Sequence, residues 1–97
     1  YYAFKEEVQR ASAAAKTYQE VGKPIPRDVA ENAKLITATR ETDKKLKAIR
    51  ADRDKIEASA LSAADKRARR EQLDAAERAV VLRFNKQYLA TNGPQAE

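Results

Sequence analysis

Between Leu35 and Ile56 the sequence LITATRETDKKLKAIRADRDKI places apolar or small residues at alternating steps of four and three. Leu35, Thr39, Thr42, Leu46, Ile49, Arg53 and Ile56 occupy these positions, and Ala60 extends the series. Heptad spacing of this kind belongs to a long amphipathic helix laid at a shallow angle along a partner helix. Lys44, Lys45, Lys47, Arg50, Asp52, Asp54 and Lys55 fall between the seam positions as a solvated, mostly basic face. A helix cannot bury its own seam. The rest of the chain, or a second chain, has to cover it.

The downstream sequence supplies a candidate partner. Ser59-Ala60-Leu61 interrupts the pattern, and Ser62-Ala63-Ala64-Asp65 has the form of a capping box that opens a further helix to about Ala90. Upstream, Asp28 and Glu31 have the same form and place the start of the organising helix at Val29, with its end near Ala58. The two helices are then each about 30 residues, or roughly 45 Å, which suits an antiparallel hairpin. Folding about Ala60–Leu61 sets Ile49 near Leu73, Leu46 near Ala76 and Thr42 near Val80. Further out, Thr39 meets Phe84, and Leu35 and Ile36 meet Tyr88 and Leu89. The competing arrangement is one unbroken helix from Val29 to Ala90, about 90 Å long, with its seam buried between chains.

Ahead of the hairpin, Tyr1 to Val21 reads as a first helix with Phe4, Val8, Ala11, Ala15 and Tyr18 on one face and a Glu6–Arg10 pair on another. Gly22 ends it, and Pro24 and Pro26 prevent its continuation. The expected organisation is all-α: a first amphipathic helix over 1–22, a linker over 23–27, a coiled-coil-like antiparallel hairpin over 28–90 with its turn near 59–62, and a flexible tail over 91–97. Val80, Val81 and Leu82 are consecutive, so they cover more than one face. Val81, Leu82 and Leu89, with Phe4 and Tyr18 of the first helix, are therefore the expected apolar partner-binding residues. The first helix is the nearest candidate to cover part of this surplus, leaving the tip around Ser59 to Arg70 to project alone.

The residue types narrow the chemistry. The chain has no Cys and no His, which removes disulfides, thiol nucleophiles, the usual zinc ligands and the commonest general acid-base group. Gly22 and Gly93 are isolated, so there is no Gly-rich phosphate loop. The carboxylates are accounted for by helix-surface pairs such as Asp74–Arg78, Arg50–Asp54 and Arg70–Asp74. No enzymatic activity, cofactor, metal or small-molecule substrate is expected. No apolar run is long enough for a transmembrane helix. With 97 residues, many of the apolar ones alanine, the chain supports a seam between helices but hardly a deep core. So lean a hairpin, starting without Met, is expected to be a piece of a larger protein.

The net charge of +5 is concentrated in two clusters. Lys66, Arg67, Arg69 and Arg70 lie near the hairpin tip; Lys44, Lys45, Lys47, Arg50 and Arg53 lie along the opposite arm. Cations in the first turns of a helix oppose the macrodipole, so helix stability does not explain the first cluster; an anionic partner would explain it, and so would the solubility of a lean hairpin. These nine residues are the candidate phosphate contacts. No aromatic is interleaved with them, so any contact with DNA would be to the backbone and without sequence preference.

One stretch resembles a known family. Arg40-Glu41-Thr42-Asp43-Lys44-Lys45-Leu46-Lys47-Ala48-Ile49-Arg50, then Arg53-Asp54-Lys55-Ile56, then Leu61-Ser62-Ala63-Ala64-Asp65-Lys66-Arg67 and Leu73 follow one another in order. Asn85 and Tyr88 complete a late Asn-x-x-Tyr. From Asn32 to Tyr88 this is similar to the C-terminal helical region of large bacteriophage polyvalent proteins and internal virion, or ejection, proteins of short-tailed phages. The resemblance implies a component of the phage particle that leaves with the genome and helps form a conduit across the host envelope. Its implied partners are portal, tail or sister ejection proteins, or copies of itself. Outside the particle the protein would be cytoplasmic. The resemblance assigns no catalytic residue here, and it does not extend to the first helix. A free-standing basic helical adaptor that binds nucleic acid nonspecifically is the alternative.

Overall fold

The computed structural model describes Tyr1 to Asn92 and is all-α, with helices α1 (Tyr2–Glu20), α2 (Arg27–Ala33), α3 (Ile36–Ala58) and α4 (Ala63–Asn92). α3 and α4 form an antiparallel hairpin; α1 packs on α2 and on α3, and α2 reaches α4. The unbroken helix over Val29–Ala90 does not form. The flexible tail expected at 91–97 begins inside α4, and residues 93–97 lie outside the described residues.

Local chemistry sets most helix ends. Val21 caps α1, and Gly22 follows at φ +70, the left-handed conformation that costs glycine nothing. The Gly22 N–H donates to the Gln19 carbonyl at 3.2 Å and the Lys23 N–H to Tyr18 at 2.9 Å, the paired bonds of a Schellman end. At the hairpin turn the Ser59 hydroxyl donates to the Ile56 carbonyl at 2.6 Å, and Ser59 turns extended, with ψ 165. The Ser62 hydroxyl then accepts the Asp65 N–H at 3.2 Å and caps α4.

The start of the hairpin departs from expectation in two ways. The helix opens at Arg27 behind Pro26, so Asp28 sits in its first turn rather than at the cap, and no side chain caps it. Glu31 pairs with Lys34 at 3.1 Å instead of reaching back. The expected single helix from Val29 to Ala58 also breaks at Lys34–Leu35, where the Leu35 N–H bonds the Asn32 carbonyl at 3.0 Å in a tightened turn. Neither Gly nor Pro stands there. The break is a tertiary effect: α2 turns to lie against α1, whereas α3 follows α4.

The core is small and sits at the open end of the hairpin. Val8, Ala11, Leu46 and Phe84 are buried, with Thr39 and Thr42 among them. The two threonines are tolerated because their hydroxyls donate one turn back, to the Leu35 carbonyl at 3.0 Å and the Ala38 carbonyl at 2.7 Å. Toward the tip, Ile49, Arg53 and Ile56 are only half-buried and Ala60 is exposed. The radius of gyration is 18.0 Å, against about 12.5 Å for a compact domain of this length.

Candidate interaction surfaces

α1 is fastened to the hairpin by its first turn. The Tyr1 ring meets Phe84 edge-on at 4.9 Å, and Phe4 stacks on Tyr88 at 4.2 Å. The Tyr1 hydroxyl donates to the Asp43 carboxylate at 2.5 Å, and Lys5 Nζ reaches the same group at 2.6 Å. Burial alone would push the Asp43 carboxyl upward; the bonds from Lys5 and Tyr1 outweigh it and hold its pKa below the ordinary value. The Tyr1 phenol is pushed well above its ordinary value, first by burial and then by its bond to Asp43. Phe4 is thus occupied inside the chain, which supplies the cover expected of α1 at the open end. Tyr18 is half-buried on the far part of α1, beside Ala14 and Val21. Asp43, Tyr1 and Lys5 were not among the candidate residues. Tyr1, three residues from Phe4 and so on the same helix face, was the available signal, but it did not identify the acceptor.

The nine candidate phosphate contacts divide into two groups. Arg53 forks to Asp74 at 2.9 Å and Glu77 at 2.6 Å, and these two acids, Glu77 foremost, raise its pKa. Arg70 pairs with Glu57 at 2.9 Å, Lys66 donates to the Glu57 carbonyl at 3.1 Å, and Arg50 donates to the Tyr2 hydroxyl. These four are engaged in contacts within the chain. Lys44, Lys45, Lys47, Arg67 and Arg69 are exposed and make no ion pair among the described residues.

On α3 and α4 the expected pairs along single helices are replaced by contacts between helices. Asp74 bonds Arg53 of α3 rather than Arg78 or Arg70 of α4, and Glu57 takes Arg70. On α1, Arg10 pairs with Glu7 at 3.1 Å rather than with Glu6. An arginine at a seam position was the legible sign of this arrangement, because it requires carboxylates opposite it.

The apolar candidates also separate. Val81 is half-buried, whereas Leu82 and Leu89 of α4 are 64% and 51% exposed. Val81 and Leu82 border an open groove whose other wall includes the Arg53 fork. Among the described residues no three carboxylates are placed to hold a metal ion, and no helix is long and apolar enough to cross a membrane.

The fold and its surfaces define an elongated α-helical hairpin braced by an N-terminal helix, with a divided basic surface and an uncovered apolar stripe. No protein-family model, curated protein or solved structure matches the chain.

Proposed function

We propose that this chain is a structural and interaction segment of a phage virion protein of the internal or ejection kind. It packs against other virion proteins and assists delivery of the genome into the host. The observation that carries the interaction reading is the exposed apolar pair Leu82 and Leu89 on an extended molecule. The chain exposes 7279 Å², whereas a compact 10.9 kDa monomer exposes about 5,600 Å². The virion assignment draws on the resemblance running from Asn32 to Tyr88.

Mass spectrometry of purified particles tests this reading. The chain is expected in intact particles and absent from emptied ones, and Leu82→Gln with Leu89→Gln should deplete it from particles without lowering its own melting temperature. A chain never found in particles would overturn the assignment.

The unpaired set Lys44, Lys45, Lys47, Arg67 and Arg69 favours the second reading, a nonspecific contact with nucleic-acid backbone. On that reading, affinity for duplex DNA falls steeply with salt and is lost when these five charges are reversed. We expect only weak DNA binding at physiological salt, since four of the nine candidate cations already serve contacts within the chain.

A further inference from the structure

α4 carries a second heptad stripe, opposite the one it buries. Ala75, Ala79, Leu82, Lys86 and Leu89 follow at steps of four, three, four and three, and all five are exposed. Leu73, Val80, Phe84 and Tyr88 lie on the other side of the same helix and are at least half-buried. The exposed stripe is narrow, about 21 Å long, and lined by alanines where another backbone can approach closely. Such a period presents its apolar positions to one further helix along its whole length.

Charge restricts which helix fits. Beyond Glu77, α4 has Arg78, Arg83 and Lys86 and no carboxylate through Asn92. All three cations are exposed and unpaired among the described residues. Arg78 and Arg83 flank the stripe on its two sides, and Lys86 lies within it. A second copy is disfavoured: an antiparallel copy centred on Leu82 would set Arg78 against Lys86 of its mate, and a parallel copy would also bring cations together. A bilayer surface is disfavoured as well, because Lys86 interrupts an apolar arc that holds only two large side chains.

We propose that the outer stripe of α4 docks an α-helix of a different protein, one with an apolar seam flanked by carboxylates. The inference rests on the interaction reading above and specifies the partner's chemistry. Two synthetic heptad peptides with the same Leu seam serve as probes, one with Glu at the flanking positions and the other with Lys. Binding to the whole chain is followed by fluorescence anisotropy at about 0.15 M salt, where distant charges are screened.

The Glu-flanked peptide is expected to bind at least about ten-fold tighter than the Lys-flanked one. Leu82→Gln with Leu89→Gln should abolish this binding while the chain melts as before. Reversing Arg78, Arg83 and Lys86 to Glu should switch the preference to the Lys-flanked peptide, an outcome that misfolding cannot produce. Equal affinity for both peptides, no saturable binding, or binding indifferent to the leucine substitutions would overturn the proposal. So would a dimer in sedimentation that Leu82→Gln dissolves, or stable adsorption to phosphatidylserine-containing vesicles lost in the same variant. Failure with the peptides leaves the virion reading standing if the leucine variants still deplete the chain from particles. Absence from particles removes that reading whatever the peptides do.

Discussion

Phe84 and Leu82 stand two positions apart on α4 and show how unevenly single residues matter here. Phe84 is 1% exposed and receives the Tyr1 ring, whereas Leu82 is 64% exposed. Truncating a buried phenylalanine to alanine costs about 3–5 kcal/mol. A 97-residue chain with so lean a core stands at the low end of the usual range, about 5 kcal/mol. Phe84→Ala should therefore lose most of its stability, with a denaturation midpoint far below the parent's by circular dichroism, while Leu82→Ala should melt within about 0.5 kcal/mol of the parent. Comparable melting of the two variants would show that the buried cluster is elsewhere. Asp43 is the second sensitive residue. Its lowered carboxyl pKa contributes stability above its ordinary value, about pH 4, that is lost as pH falls through the folded value. The raised Tyr1 pKa contributes stability below its ordinary value of about 10, lost as pH climbs beyond it. Melting temperature against pH should form a plateau with both limbs falling. Asp43→Asn should flatten the acid limb, and superimposable profiles would remove Asp43 as the anchor of α1.

The helices depend on their ends as much as on their seams. Ser62 caps α4 through the Asp65 N–H, so Ser62→Ala should cost about 1 kcal/mol. Gly22 holds a left-handed conformation, and a methyl group there would meet no atom within 4 Å. The cost of Gly22→Ala is therefore purely conformational, about 1–2 kcal/mol. Both losses can be read from chemical denaturation midpoints. A neutral Ser62→Ala would imply that helix continues through the turn, because alanine is the better interior residue. Each of these ends was readable in advance, since a cap depends on residues within one turn of itself.

Across the whole molecule the buried residues are concentrated away from the tip. Val8, Ala11, Thr39, Thr42, Leu46 and Phe84 cluster where α1 meets the hairpin, and no residue of α3 beyond Leu46 is fully buried. Opening should begin where burial is least. Hydrogen exchange should be faster for amides of residues 52–58 and 63–72 than for residues 39–46 and 80–88. A uniform rate along the hairpin would mean that α3 and α4 open as one unit.

Much of this architecture follows from short-range pattern. The seam at Thr39, Thr42 and Leu46, the apolar face of α1 at Phe4, Val8 and Ala11, the stop at Gly22 and the cap at Ser62 all depend on steps of three or four residues or on a single cap. The sequence therefore determined that the chain is helical, where it turns and which faces lie inward. Only the tertiary structure decided that the helix bends at Lys34–Leu35, that Arg53 takes both Asp74 and Glu77, and that Tyr1 and Lys5 meet on Asp43. Asp74 and Asp43 each had more than one cation within reach. For Asp74, cations lay four residues away on its own helix and also across the seam. The cross-helix partners prevail because packing sets the Arg53 guanidinium between Asp74 and Glu77, where one cation meets two carboxylates. That juxtaposition exists only once the helices have packed.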